Sequence, residues 1–213
     1  MQEHHLTVSR TARYVTLGPL DRSAKDVWFA LHGYGQLAAR FARAFEPLES
    51  KQRLIVVPEG LSRYYVDHRT RAVGASWMTS EDRLHEIDDY LQYLDALAGS
   101  IQGAIPPDAS LTLLGFSQGV ATAGRWVAAG APRLGRLILW GGTMPRELDP
   151  TGGDLNGIEV VLVRGDQDPL VSAETVAGQA AALQTAGVHH RTITFSGGHE
   201  LNRGVLLGLA EGR

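Results

Sequence analysis

The sequence has no cysteine among its 213 residues. It therefore has no disulfide bond, no thiolate metal ligand and no cysteine nucleophile. Proteins of the reducing cytoplasm commonly lack disulfides, so we expect a cytoplasmic protein. The sequence also lacks an apolar run near the roughly 18 residues that a membrane helix requires, and no basic-then-apolar leader opens it. We therefore expect no membrane span.

Neither sign of charge is in large excess. Formal net charge is −3 with the histidines neutral, and the isoelectric point is about 6.2. This balance gives no reason to expect a nucleic acid or another polyanion as a partner. Hydrophobic residues make up 44 % and charged residues 20 %, which excludes disorder, collagen and a coiled coil. The length predicts a single domain that spans residues 1–213.

Apolar runs and helical periodicities alternate along the chain. Strands are predicted at residues 7–10, 13–17, 27–31, 54–57, 111–116, 136–140, 159–163 and 191–195. Helices are predicted at residues 36–50, 86–101, 118–129, 174–184 and 201–209. This alternation predicts an α/β fold with a mostly parallel, twisted sheet and helices on both faces. Residues 60–81 and 141–157 are predicted to be long loops.

The 25 glycines are unusually many, and several of them follow the predicted strands. The segment Gly115-Phe116-Ser117-Gln118-Gly119 joins a strand to a helix, which is the context that a Gly-x-Ser-x-Gly nucleophile turn requires. The small glycines would allow a strained backbone at Ser117, so that its hydroxyl projects above the sheet. We interpret Ser117 as a candidate nucleophile, although a serine in an ordinary glycine-rich turn would have the same sequence.

His199 is the predicted general base. It follows the last predicted strand, after Gly197 and Gly198, and so lies at the same edge of the sheet as Ser117. The other histidines lie near the amino terminus, before a strand or in surface segments, except for His32. His32 also follows a strand, but the glycines beside it favour a backbone role.

An acid should orient the histidine, and two aspartates follow the strand at 159–163. Asp166 is typical of a residue that stabilises a turn. Asp168 lies farther along the loop and is followed by Pro169, which favours it as the acid. Local sequence leaves both open.

The segment His32-Gly33-Tyr34-Gly35 follows the first buried strand. It is either a tight turn into a helix or the loop that supplies one backbone N–H to an oxyanion hole. In the second interpretation, the other N–H comes from Gln118, directly after the candidate nucleophile.

These segments resemble the α/β-hydrolase superfamily, and within it the phospholipase/carboxylesterase group that includes acyl-protein thioesterases. The resemblance covers nearly the whole chain. It rests on Leu31-His32-Gly33-Tyr34-Gly35, Gly115-Phe116-Ser117-Gln118-Gly119, the segment from Gly165 to Val171, and Gly198-His199. Gln36 and Val120 depart from the group, where many members have an acid and a glycine.

The resemblance implies an α/β-hydrolase fold without a separate lid domain, and a serine hydrolase that needs no cofactor. It implies Ser117, Asp168 and His199 as the catalytic triad, and so selects Asp168 over Asp166. It implies backbone N–H groups of Tyr34 and Gln118 as the oxyanion hole, and Trp77 beside the substrate channel. No metal site is expected, because no histidines and carboxylates recur at ligand spacing.

The predicted function is hydrolysis of small or short-acyl carboxylic esters through an acyl-enzyme intermediate. The partner is then a small-molecule ester. Alternatives are a lactone or thioester hydrolase on the same fold, or a non-catalytic binding module. The loop at 60–81 is either an aromatic and cationic wall of the site or a solvated surface loop.

Overall fold

In the part of the chain that the structure describes, nine strands form a seven-stranded sheet and a separate two-stranded hairpin. A computed structural model describes residues 1–212. The strands are β1 (Tyr14–Leu17), β2 (Asp26–Leu31), β3 (Arg53–Pro58), β4 (Ser62–Asp67), β5 (Ala72–Ser76), β6 (Ser110–Phe116), β7 (Arg136–Trp140), β8 (Glu159–Gly165) and β9 (His190–Phe195). The large sheet has the order β1-β3-β2-β6-β7-β8-β9, and β4 pairs with β5. Only β1 runs antiparallel in the large sheet, so the prediction of a mostly parallel sheet is confirmed.

Helices cover both faces of this sheet. They are α1 (Ala38–Phe41), which continues into a 3₁₀ segment (Ala42–Leu48), α2 (Arg83–Ala104), α3 (Gln118–Ala128), α4 (Ala173–Thr185) and α5 (Arg203–Ala210). Within residues 1–212, no helix is both long and apolar enough to cross a membrane.

Two apolar cores result from the alternation of side chains along the buried strands. Phe29 of β2 packs in the core under α2, α3 and α4, which contains Tyr90 and Trp126. Its neighbour Trp28 points to the opposite face and packs with Phe45 in the core under α1, the 3₁₀ segment and α5. Because both faces are covered, the edge formed by the carboxyl ends of the parallel strands is where loops can build a site.

The segment at 60–81 is not the structureless loop that the sequence predicts. Most of it is the antiparallel hairpin β4–β5, whose turn includes Arg71 at a positive φ of 56°. The strand β4 alternates between partly buried and exposed residues and contains no fully buried one. The hairpin therefore lacks the apolar run by which the sheet strands were recognised, although Tyr64, Tyr65 and Val66 are residue types that favour strands.

The predicted helix at 36–50 is shorter and less regular than expected. The α-helical part is only α1, and the chain then tightens into the 3₁₀ segment, which contains Pro47. Proline has no N–H to donate to the carbonyl four residues earlier, so a regular α-helix cannot continue through it.

The predicted strand at 7–10 does not form. Residues 7–10 are exposed and have no regular secondary structure. Strand β1 pairs with β3 at the edge of the sheet, and residues 7–10 do not add to its outer side. The loop prediction at 141–157 is confirmed, as this stretch contains neither helix nor strand.

Helix α3 begins in direct contact with the end of β2. A Cβ atom at Gly119 would lie 2.2 Å from the carbonyl oxygen of Leu31 and 2.9 Å from that of His32. These distances are far below any van der Waals contact, and both partners are backbone atoms that cannot rotate away. Only glycine permits this approach of helix to strand.

We predict that Gly119→Ala destabilises the fold by about 3 kcal/mol or more, because the methyl group would separate α3 from β2. Gly99→Ala is the matched control. Gly99 is an exposed position of α2 where an added Cβ would meet no atom within 4 Å. Alanine there should stabilise the helix by about 0.5–1 kcal/mol. Urea unfolding of both variants measures the difference, and similar midpoints would contradict the packing argument.

Candidate active site

Ser117 lies at the turn between β6 and α3. Its φ of 55° and ψ of −117° are unusual for a residue with a side chain, and its backbone N–H donates to the carbonyl of Trp140 at 2.9 Å. Such a conformation costs free energy and persists only when the surroundings fix it. Here the sheet fixes the Ser117 backbone on one side, and the close contact of α3 with β2 fixes it on the other.

Three predicted side chains meet at this turn. The Nε2 atom of His199 is 2.9 Å from the Oγ of Ser117, and its Nδ1 is 2.8 Å from an Oδ of Asp168. Ser117 follows β6, Asp168 follows β8 and His199 follows β9. The parallel sheet thus brings together residues that are far apart in the chain.

The partners of His199 define its tautomer. An ionised carboxylate can only accept hydrogen bonds, so Nδ1 carries the proton and donates it to Asp168. The Nε2 atom of the neutral ring is then the acceptor of the Ser117 hydroxyl. A histidine held in this way can remove the proton of the serine, which makes the oxygen nucleophilic.

The carboxylate of Asp168 is buried but well supplied with donors. Its side chain is 1 % exposed, whereas that of His199 is 18 % exposed. One Oδ faces His199, and the other accepts the backbone N–H groups of Leu170 at 2.8 Å and Val171 at 3.1 Å. Burial raises the pKa of Asp168, but the hydrogen bonds outweigh it and the pKa lies below its ordinary value. The acid is therefore ionised at neutral pH.

Asp166 does not contact His199. Its side chain is exposed and accepts the backbone N–H of Gly197 at 3.0 Å, two residues before His199. It therefore ties the loop that carries His199 to the end of β8, which is a turn-stabilising contact. The structure thus distinguishes the two aspartates that local sequence left open.

Two backbone N–H groups beside Ser117 have no acceptor within residues 1–212. They belong to Tyr34 and Gln118. In the loop after β2, Gly33 donates to the side-chain Oε1 of Gln36 at 2.8 Å and Gly35 donates to the carbonyl of Ala75 at 2.8 Å. The loop lies against the nucleophile turn, since a Cβ at Gly33 would be 3.1 Å from the Cβ of Ser117.

His32 and Trp77 support this loop from inside the protein. The ring of His32 is buried, donates from Nδ1 to the Gly33 carbonyl at 2.8 Å and accepts the Gly60 N–H at Nε2 at 2.9 Å. Burial lowers the pKa of His32, which keeps its ring neutral. Trp77 lies over this ring at 5.0 Å and donates its indole N–H to the His32 carbonyl at 2.8 Å.

Trp77 is only 1 % exposed. The family resemblance implies that this side chain lies beside the substrate channel, but its contacts are those of a structural support for the loop after β2. Contact between Trp77 and a substrate stays a prediction.

The side chain of Gln118 has a role that the sequence reasoning did not identify. Its Oε1 accepts the backbone N–H of Trp77 at 3.1 Å. Its Nε2 donates to the Met78 carbonyl at 2.8 Å and to Ser76 Oγ at 3.1 Å. Gln118 therefore fastens the end of β5 to the first turn of α3. No local sequence pattern predicts this contact, because the partners of Gln118 are about 40 positions away in the chain.

Gly141 was also missed as a site residue. It follows β7 with a φ of 59°, and a Cβ there would lie 3.2 Å from Cε1 of His199 and 3.4 Å from Asp168. A side chain would strain the backbone and press on the ring that must contact Ser117. The position of this glycine after a buried strand was the available signal.

Several solved structures are similar to this one. Acyl-protein thioesterase 2 of Zea mays matches with a TM-score of 0.70 and 20 % identity, over 94 % of this chain and 97 % of that one. A Bacillus cereus carboxylesterase matches with a TM-score of 0.67 and 17 % identity, over 94 % and 92 % of the two chains. A phospholipase/carboxylesterase from Dyadobacter fermentans matches with a TM-score of 0.66 and 19 % identity, over 97 % of each.

The protein has the α/β-hydrolase fold. The expected fold class is thereby confirmed, since the chain is similar over nearly its whole length to solved thioesterase, carboxylesterase and phospholipase/carboxylesterase structures. Neither a protein-family model nor a curated protein sequence matches the chain. At these identities the α/β-hydrolase likeness establishes the fold, and the activity must be argued from the site.

We predict that Asp168→Asn lowers kcat for ester hydrolysis about 10⁴-fold, because an amide no longer holds the required tautomer of His199. Asp166→Asn is the matched control and should change kcat little, since the amide oxygen can still accept the Gly197 N–H. Steady-state kinetics of both variants check this, and equal losses would contradict the assignment of the acid.

We also predict that activity is lost on acidification. The lowered pKa keeps Asp168 ionised to low pH, so protonation of the acid does not cause the loss. The proton transfer from serine requires an imidazole lone pair, which acid removes. The free energy of unfolding should depend on pH separately from the activity. The stabilisation from Asp168 is present above the ordinary carboxyl range and is lost as pH falls through the lowered folded-state pKa. Parallel profiles of kcat/KM and thermal stability test this, and coincident acid limbs would contradict it.

Proposed function

We propose that this protein is a serine esterase that hydrolyses small or short-acyl carboxylic esters through an acyl-enzyme intermediate. The observation that carries the proposal is the hydrogen-bonded series from Ser117 Oγ to His199 Nε2, and from His199 Nδ1 to Asp168, at 2.9 and 2.8 Å. The similarity to solved esterases and thioesterases supports it.

In the first step, Nε2 of His199 removes the hydroxyl proton while Oγ of Ser117 attacks the ester carbonyl carbon. The carbonyl oxygen becomes an oxyanion, which the free N–H groups of Tyr34 and Gln118 stabilise. One donor of this kind is worth about 3 kcal/mol in the transition state. The proton on Nε2 then passes to the alkoxide leaving group, the carbon–oxygen bond of the ester breaks, and the acyl group remains on Ser117.

In the second step, water attacks the acyl carbon. His199 takes one proton from that water, the tetrahedral intermediate forms again in the same oxyanion site, and the proton returns to Oγ as the carboxylic acid leaves. Asp168 stays ionised throughout and stabilises the imidazolium that forms in each step. No cofactor takes part in this scheme.

The surroundings of the triad support a small or short-acyl substrate. The hairpin β4–β5 is joined to the loop after β2 by the bridge between Gln36 and Ala75, and the ring of Tyr64 lies 5.3 Å from that of Tyr34. Arg69 and Arg71 lie at the exposed turn of the hairpin. The aromatic end of the hairpin therefore borders the site, and neither it nor the loop at 141–157 adds a helical cap to enclose a long chain.

A thioester is the second candidate substrate class. It is favoured by the similarity to acyl-protein thioesterase 2 of Zea mays. The attack of Ser117 on the carbonyl carbon is the same, and the leaving group is a thiolate, which needs less help from the proton on His199 because thiols are more acidic than alcohols. Hydrolysis of a matched ester and thioester pair with the same acyl group distinguishes the two.

We predict that Ser117→Ala abolishes p-nitrophenyl butyrate hydrolysis, with a loss in kcat on the order of 10⁶-fold, while the fold is retained. A fluorophosphonate probe should label the unaltered protein at Ser117 and should leave the variant unlabelled. Ser100→Ala, at an exposed position of α2, is the control and should keep both activity and labelling. Failure of the unaltered protein to label would favour a binding module without catalysis.

We predict that kcat/KM is highest for acetyl and butyryl esters in a p-nitrophenyl series that extends to palmitoyl. The reason is that, within residues 1–212, no helical cap covers the triad to enclose a long chain. A clear preference for the long acyl chains would contradict the proposed substrate class. A lactone panel measured beside it would identify lactone hydrolysis if lactones were cleaved faster than any linear ester.

A further inference from the structure

Two histidines and an aspartate meet on the surface, in contacts separate from those of the triad. His5 Nε2 lies 3.2 Å from one carboxylate oxygen of Asp82, and His85 Nδ1 lies 2.6 Å from the other. The three ligand atoms, one from each residue, are all within 4.8 Å of one another. We call these residues the His5–Asp82–His85 cluster.

The geometry points to a binding site for Zn²⁺ or a similar divalent transition metal at the His5–Asp82–His85 cluster. In a tetrahedral zinc site the metal–ligand distances are about 2.0–2.2 Å, so neighbouring ligand atoms are about 3.3 Å apart. The two contacts with Asp82, at 3.2 and 2.6 Å, lie near this spacing, and the three ligand atoms are all within 4.8 Å, so small side-chain rotations would bring them to it. Two imidazoles and one carboxylate suit zinc, copper or nickel and not magnesium or calcium, which prefer oxygen ligands alone.

The arrangement of the rings and the carboxylate is compatible with a shared ion. The two imidazole rings lie face to face, with centroids 4.1 Å apart and an angle of 30° between their planes. Asp82 precedes the first residue of α2, yet its carboxylate makes no capping bond to that helix and faces the histidines instead. Each of the three side chains is between 42 and 55 % exposed, so an ion can enter from solvent and complete its coordination with water.

Charge also favours a cation at this place. The carboxylate of Asp82, which contacts both histidines, supplies one negative charge. Glu3, whose carboxylate is 3.6 Å from Nε2 of His5, adds a further negative charge.

The sequence expectation of no metal site considered only spacing along the chain. The fold joins His5, in the segment before β1, to the residues at the start of α2. A bound ion would therefore attach that segment, which has no helix or strand of its own, to the body of the protein. The measurable consequence is protection of the segment from proteolysis.

The test is calorimetric titration of the full chain, freed of metal by a chelator, with zinc sulfate. We expect one Zn²⁺ per chain, and binding weakened by more than about 10-fold in His5→Ala and in His85→Ala, since loss of even a supporting group costs 10- to 100-fold. His4→Ala and His189→Ala are matched controls at exposed histidines outside the cluster and should bind as the unaltered chain does. Zinc should also slow tryptic cleavage at Arg10 of the unaltered chain, and it should have no such effect on His85→Ala.

Two results would overturn the proposal. One is the absence of saturable zinc binding by the unaltered chain. The other is binding that survives His85→Ala and disappears in His199→Ala, since the ion would then occupy the triad. Circular dichroism of each variant excludes loss of the fold as the cause, and the proposal does not depend on esterase activity.

Discussion

The contact between the first turn of α3 and the end of β2 is the constraint on which the site depends. Gly119 touches the backbone of Leu31 and His32 in this contact. Because the helix starts so close to the sheet, the chain must reverse sharply at Ser117, and this reversal exposes the serine hydroxyl and the Gln118 N–H together. It also places the loop after β2 against the nucleophile. A looser packing of α3 would separate these groups, so the chemistry of the site depends on this backbone contact.

Around this contact, neutral hydrogen bonds fix the parts of the site that carry no charge. Gln118 fastens the end of β5 to α3, and Trp77 fastens that same strand end to the carbonyl of His32. His32 in turn holds the N–H of Gly60. The rings of His32 and Trp77 and the Gly60 backbone are buried and Gln118 is partly buried, so an unpaired donor or acceptor here would be costly. The oxyanion loop is therefore held by partners that cannot be withdrawn one at a time without leaving a buried group unsatisfied.

The sequence predicted those features that depend on local pattern and missed those that depend on contacts between distant segments. Buried strands such as β6 were recognised from continuous apolar runs, and the order of serine, acid and histidine followed from the turns after them. The hairpin β4–β5 was missed because β4 has no fully buried residue and β5 is a short segment of mostly small residues. The side-chain role of Gln118 and the role of Gly141 were missed because they arise only when the end of β5 or the ring of His199 is brought beside them.

The choice between Asp166 and Asp168 shows how much depends on the loop after β8. A buried carboxylate stays ionised only if enough donors face it, and Asp168 has the imidazole of His199 together with the backbone N–H groups of Leu170 and Val171. The chain turns just after Asp168, so that these two N–H groups point back to one oxygen and leave the other for the histidine. Asp166, before the turn, is exposed and meets the backbone of Gly197 instead. The acid is thus selected by the two backbone donors that follow it, and not by its distance from the strand alone.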